Sequence, residues 1–273
     1  MSNLLLRIIT ALLLLPIVIY AFLTGGLFLL LLLALVSLFC SFEIAGMIRP
    51  KDNFFTAIAL FFWLSLFIIF VIINNFMIAI IFMAFIFLIN NSLFLFNPKL
   101  SQQDLEKIST LFYFIFYVTI AMSSLFWLSH NNINLIFLAC IATWSNDSCA
   151  YFGGRAFGKH KLFERVSAKK TWEGFISGAL GSLLIVLALA AFKTTSVWHP
   201  FAGLSLSDIL WITLPTMILA PLGDLIESVL KRIYNTKDSS NILPGHGGLL
   251  DRIDALLLVI PWTAAYAFII RPL

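Results

Sequence analysis

At 273 residues, with 61% hydrophobic and only 11% charged residues, the chain departs sharply from soluble domains, about a quarter of whose residues are charged. This excludes a water-soluble globular enzyme, and spans of roughly 20 apolar residues each leave no length for a large extramembrane domain. The net charge of +4 is distributed by membrane topology, and no nucleic-acid partner is expected.

In chain order, membrane spans are predicted at about 8–24, 27–48, 54–73, 76–96, 111–129, 133–151, 172–192, 208–228 and 252–270. The first follows Arg7 and resembles a signal peptide. No small-residue cleavage site follows it, and a second span begins directly after Gly25-Gly26, so it reads as a retained helix. Turn or charge signals separate the early spans: Gly25-Gly26, Arg49 to Asn53, Asn74-Asn75, Asn97-Pro98-Lys99 and His130-Asn131-Asn132. Cys40, Cys140 and Cys149 all sit in apolar stretches without a CxxC pair and read as small buried side chains.

Lys and Arg orient this bundle. With nine spans, 15 of the 17 basic residues fall on the side of the N-terminus, and only Lys193 and Arg271 on the other. The fold class is therefore an all-α, polytopic integral membrane protein of about nine transmembrane helices, N-terminus cytoplasmic and C-terminus outside. The halves differ in kind. Residues 1–110 hold only the acids Glu43, Asp52, Asp104 and Glu106 and read as a scaffold of transmembrane helices; residues 111–273, with longer breaks and acids in or beside spans, read as the catalytic domain.

Four aspartates carry the chemical signal: Asp147, Asp224, Asp251 and Asp254. A carboxylate at the centre of a membrane helix costs roughly 2.5–3.5 kcal/mol on insertion scales, so four together demand pairing, hydration or a metal. The topology puts Asp147 near the cytoplasmic end of span six, Asp224 and Glu227 at the same level of span eight, and Asp251 and Asp254 in the first turns of span nine. Asp251 and Asp254 share a helix face, as do Asp224, Glu227 and Ser228. Oxygen-only ligands of this kind suit Mg²⁺ bound together with a substrate phosphate. The plain alternative is that the acids pair with Lys231, Arg232, Lys237 and Arg252.

Two cationic loops face the same side. The loop 152–171 alternates basic residues with glycines and aromatics and ends in Lys169-Lys170, flanked by Ser167 and Thr171, a cap and anion site where the next helix begins. Topology alone accounts for its charge; a site for lipid headgroups is the functional reading. The loop 237–251 runs from Lys237-Asp238 through Gly245, His246, Gly247 and Gly248 to Asp251. Its glycines let backbone N–H groups approach an anion beside a helix N-terminus, although a tight turn explains Gly247-Gly248 equally well. It is neither a Walker A motif nor a dinucleotide fingerprint.

The segment Ser228-Val-Leu-Lys231-Arg232-Ile-Tyr-Asn-Thr-Lys237-Asp238-Ser-Ser-Asn-Ile-Leu-Pro244-Gly-His246-Gly247-Gly248-Leu-Leu-Asp251-Arg252-Ile-Asp254 resembles the signature of the phosphatidate cytidylyltransferase (CDP-diacylglycerol synthase) family. Asn146 to Arg155, Ser167 to Gly174 and Pro221 to Ser228 resemble further family blocks, with Cys149 and Ala168 slightly atypical. The resemblance is strong over about 140–260 and rests on hydropathy alone over the first 110 residues.

The resemblance implies CTP and phosphatidate as substrates, CDP-diacylglycerol and pyrophosphate as products, and a dinuclear centre of Mg²⁺ with a second cation such as K⁺. On it, Asp224 and Asp251 are expected as primary metal ligands, with Asp147 and Asp254 supporting. Lys231, Arg232, Lys237 and Arg252 are expected as phosphate clamps, with Asp238 and His246 as further catalytic residues. Lys169, Lys170, Ser228, Gly247 and Gly248 are expected to bind substrate. A homodimer in the inner (cytoplasmic) membrane, its active site facing the cytoplasm, completes the expectation. Two alternatives remain. A cation-coupled transporter would set its acids near the midplane of repeated halves, whereas here they gather toward one face and no repeat is visible. A lipid-directed kinase or nucleotidyltransferase with another acceptor would differ only in its substrates.

Overall fold

A computed structural model describes residues 3–48, 102–191, 200–243, 245 and 247–271. The spans expected at 54–73 and 76–96 lie outside the described residues. The helices α1 (Asn3–Thr24) and α2 (Gly26–Ile48) are joined through Gly25 and Gly26, both at positive φ (60° and 53°). Glycine reaches that conformation without steric penalty, so two long helices can follow one another with a single intervening residue. Next come α3 (Gln102–Asn131) and α4 (Ile133–Phe157). Asn132 caps α4, its side-chain oxygen accepting the Asn134 N–H at 3.1 Å.

The helix α4 runs six residues past the expected end at 151, and the cationic loop beyond it folds into an antiparallel hairpin, β1 (Lys161–Phe163) with β2 (Ser167–Thr171). Among the described residues this hairpin is the departure from an all-helical chain. The chain continues with α5 (Trp172–Ala191), α6 (Leu206–Ile233), the single turn α7 (Leu250–Ile253) and α8 (Leu256–Ile269). Among the described residues, three helices, α2, α5 and α6, are long and apolar enough to cross a membrane, and Leu12–Thr24 and Leu256–Ile269 are shorter apolar stretches.

Side-chain exposure fits a lipid solvent. Leu27, Leu31 and Leu35 on α2, and Ile176, Leu180 and Leu184 on α5, recur four residues apart and are all exposed. In water such stripes would be sticky patches; in a bilayer they meet hydrocarbon. The opposite face of α5 is built from small residues, with Gly174, Gly178 and Ser182 buried. A Cβ on Gly178 would come within 2.9 Å of Ala150 Cβ, and one on Gly181 within 2.6 Å of Cys149 Cβ. The small residues thus let α4 and α5 approach closely, as helices in lipid commonly do, and Cys149 fills the space over Gly181.

The chain groups into two compact units, Met1–Trp127 with Ser239–Leu249, and Leu128–Asp238 with Leu250–Leu273. In the second, α6 and α8 lie antiparallel. Asp208 forms a capping box with Ser205 at the start of α6 and also accepts from Tyr266 Oη (2.8 Å) and Arg271 Nε (3.0 Å) at the end of α8. Midway, Trp262 Nε1 donates to the Trp211 carbonyl (2.9 Å). At the far end, a Cβ on Gly223 would lie 2.9 Å from Ala255 Cα and collide with the Asp254 carbonyl, so only glycine permits this approach.

Gly178→Leu is expected to destabilise the α4–α5 pair by about 1–3 kcal/mol, the usual effect of overpacking, whereas Leu180→Ala on the exposed face shifts stability by no more than about 0.5 kcal/mol. Thermal unfolding of the detergent-solubilised variants distinguishes the two.

Candidate active site

The close approach at Gly223 determines what happens one residue later. Asp224, on α6, is brought against Asp254, which sits in the break between α7 and α8. Glu227, three residues along the same face of α6, joins them. One carboxylate oxygen each from Asp224, Glu227 and Asp254 lies within 4.8 Å of the others. Asp254 keeps one oxygen engaged by the Ala255 N–H (2.8 Å), and Ser228 Oγ donates to Asp224 Oδ1 at 3.3 Å.

Two lysines compensate this cluster from different elements. Lys231 lies one turn beyond Glu227 on α6 and donates to Glu227 Oε2; it also reaches Asp251 Oδ1 on α7 at 2.6 Å. Glu227 is buried and its two partners are largely so: 11% of the Lys231 side chain, 9% of Asp251 and 1% of Glu227 remain accessible. Lys170 arrives from β2, with its Nζ 2.6 Å from Asp224 Oδ2 and donating to the Pro221 carbonyl at 3.3 Å. Asp147, on α4, lies within electrostatic reach of Asp224 and Lys170.

The hairpin explains why neighbouring lysines diverge. Successive side chains of a strand point to opposite faces, so Lys170 turns toward Asp224 while Lys169 is exposed. The strands are fastened at both ends. Glu173 accepts the Lys159 and His160 backbone N–H groups (3.1 and 3.2 Å) and pairs with His160 Nδ1 (2.6 Å). Thr171 Oγ1 accepts the Gly174 N–H (3.1 Å) as the cap of α5. Arg232 Nε donates to the Val166 carbonyl (3.4 Å), holding the turn of the hairpin to α6.

The expected site residues therefore separate. Asp147, Lys170, Asp224, Ser228, Lys231, Asp251 and Asp254 all gather around the acidic cluster in the second unit. Lys169, Lys237, Asp238 and Arg252 are exposed, and Arg232 is exposed but bonded to the Val166 and Thr236 carbonyls. Gly247 and Gly248 belong to 239–249, in the first unit. Gly247, at φ +84°, closes a turn by accepting the Leu243 N–H (2.9 Å). His246 lies outside the described residues. Glu227 is the residue that sequence reasoning left out of the ligand set, although its i, i+3 spacing from Asp224 was the available signal.

The donor set fits a hard divalent cation. It is all oxygen, three carboxylates converge, and Glu227 Oε1 is buried with no hydrogen-bond partner among the described residues.

Comparison with known sequences shows the family. The sequence pattern of the cytidylyltransferase family matches residues 5–270. Phosphatidate cytidylyltransferase of Bacillus subtilis (strain 168) is 46% identical over 135 residues, covering 50% of this chain and 48% of that one. The Haemophilus influenzae enzyme of the same name is 37% identical over 141 residues, 52% and 48% of the two chains. That of Staphylococcus saprophyticus is 39% identical over 147 residues, 54% of each. The chain thus spans about half the length of the curated relatives it matches.

Lys231→Met is expected to destabilise the protein by about 3–5 kcal/mol, because it strands two buried carboxylates. Lys169→Met, at an exposed position, should change stability by no more than about 0.5 kcal/mol. Thermal unfolding in detergent checks both, and equal stabilities would exclude the buried Lys231 pairings.

Proposed function

The chain belongs to the cytidylyltransferase family, and on that premise we propose that it transfers the cytidylyl group of CTP to phosphatidate, giving CDP-diacylglycerol and pyrophosphate at the cytoplasmic face of the inner membrane. The observation that carries this reading is the convergence of Asp224, Glu227 and Asp254 beside Lys170 and Lys231. The name shared by the relatives supports the substrates, and the charge split of 15 to 2 among Lys and Arg supports the side.

Phosphatidate brings its own nucleophile, a phosphate oxygen ionised near neutral pH, so no side chain has to be activated to attack. That oxygen forms a bond to the α-phosphorus of CTP while the bond to the bridging oxygen of the β-phosphate breaks, and pyrophosphate leaves with the electron pair. The obstacle is the approach of two polyanions and the charge that develops on the α-phosphoryl oxygens. Bound Mg²⁺, with a second cation such as K⁺, would supply Lewis-acid stabilisation of that charge.

Asp224, Glu227 and Asp254 would hold the cation, with Asp251 and Asp147 at its edge. A bound cation would offset the charge of these converging carboxylates alongside Lys170 and Lys231. Lys170 and Lys231 are positioned to follow phosphate as well as carboxylate. Lys169, Lys237 and Arg252 are exposed cations that would face a headgroup or a triphosphate. Arg232, with Asp238 close by in sequence, holds the local backbone from which they project.

Purified protein in mixed micelles with phosphatidate, radiolabelled CTP and Mg²⁺ is expected to yield a lipid-soluble cytidine product, which chelation of Mg²⁺ abolishes and its return restores. Equal turnover with ATP or GTP would undo the cytidine assignment. Asp224→Asn and Asp254→Asn should each lower turnover on the order of 10²-fold or more, the size of removing one charge-stabilising group, in protein that still inserts. Replacing Lys169 and Lys170 together should raise a substrate KM.

A further inference from the structure

Glu43 stands in α2, a helix otherwise composed of apolar and small residues, and only 1% of it is accessible. An isolated carboxylate there would oppose insertion. It is compensated by a segment 196 to 206 residues away in sequence: Ser239 Oγ donates to Oε2 at 2.9 Å, Ser240 Oγ to Oε1 at 2.7 Å, and the Leu249 backbone N–H to Oε1 at 2.6 Å. The donors come from both ends of 239–249, so one carboxylate joins the segment's start to its finish. Within it, the Leu243 N–H donates to the Gly247 carbonyl, closing the turn.

Gly248 belongs to the same arrangement. A Cβ at that position would collide with Ser239 Oγ and lie 2.8 Å from Glu43 Oε2. The glycine is thus required by the clasp itself, which gives it a reason to be glycine independent of any anion at its N–H.

We propose that Glu43 is a positioning residue for the reaction: it clamps both ends of 239–249 and so restrains Lys237-Asp238, which enter the segment, and Asp251, which follows Leu249 by two residues. This rests on reading the chain as a lipid-directed cytidylyltransferase. Three charge-assisted hydrogen bonds on a buried carboxylate are individually among the stronger kind. Their effect here is to replace loop freedom with one conformation, which matters because a shift of about 1 Å in a reacting group lowers rates on the order of 10²-fold.

Glu43→Leu keeps similar bulk and makes α2 a better membrane helix, so poor insertion cannot explain a defect. It is expected to lower kcat on the order of 10²-fold while the KM for CTP changes less than about threefold, since positioning acts on the transition state more than on ground-state binding. Glu43→Gln retains an acceptor oxygen and lets a serine hydroxyl turn to accept its amide, so it should recover most of the lost kcat. Hydrogen exchange of the peptide spanning 239–249 should rise at least about tenfold in Glu43→Leu and little in Glu43→Gln, as expected when a hydrogen bond of this kind is lost. Wild-type kcat in Glu43→Leu, alongside an inactive Asp224→Asn, would overturn the positioning role and leave the proposed function standing. A drop in kcat that Glu43→Gln does not recover would also overturn it. Should wild-type protein make no lipid-soluble cytidine product, the proposed function fails, and with it the catalytic role of the clasp. Unchanged exchange in Glu43→Leu would overturn the clasp itself.

Discussion

The second unit is organised around one buried cation, Lys231, held between Glu227 and Asp251. Ion pairs in low-dielectric surroundings are poor sources of net stability, because desolvation of each partner offsets most of the attraction between them. Removing one partner is nevertheless severe. The site therefore constrains its surroundings more than it stabilises them: α6 must present Glu227 and Lys231 one turn apart, α7 must begin at the right level to offer Asp251, and Gly223 must admit the α7–α8 junction. The antiparallel packing of α6 and α8, fixed at the other end by Asp208 with Tyr266 and Arg271, satisfies all three conditions together.

Outside that cluster the packing is undemanding. Gly174, Gly178 and Ser182 bring α4 and α5 together by being small, and the exposed leucines of α2 and α5 need only be apolar. Precision is concentrated where charge is buried. This contrast explains the architecture of the hairpin, whose two strands would be marginal alone. Glu173, Thr171 and Arg232 fasten it, and its reward is a single lysine, Lys170, aimed at Asp224.

Much of this was legible in the sequence because hydropathy and charge are nearly sufficient to read a membrane protein. The helices α1, α2 and α3 to α6 fall where apolar runs predict them, and Asp147 and Asp224 fall in the C-terminal halves of α4 and α6, as those runs imply. The hairpin was not legible. Lys161–Phe163 and Ser167–Thr171 are too short and too polar for a period-two pattern, and their pairing depends on anchors, Glu173 and Arg232, that periodicity does not reveal. The split between Lys169 and Lys170 follows from that missed strand. The trio also differs in membership from the expected ligand pair. Asp251, expected as a primary ligand, shares an i, i+3 spacing with the supporting Asp254, but α7 is a single turn and the backbone breaks at Asp254, so that Asp251 pairs with Lys231 while Asp254 joins Asp224.

Glu43 marks the limit of local reading. By itself it was one of four acids in a half that looked like scaffold, and its partners lie about two hundred residues on. Yet the physical rule that singled out the aspartates applies to it without change: a carboxylate in an apolar helix requires compensation. For Glu227 and Asp251 the compensation is a cation, and the result is a polar centre open to further charge. For Glu43 the Ser239 and Ser240 hydroxyls and the Leu249 backbone N–H are among the donors, and the result is a joint between a helix and a segment distant in sequence. The same rule thus separates two kinds of buried acid. Those answered by lysine gather at the acidic cluster, and Glu43 ties α2 to both ends of 239–249.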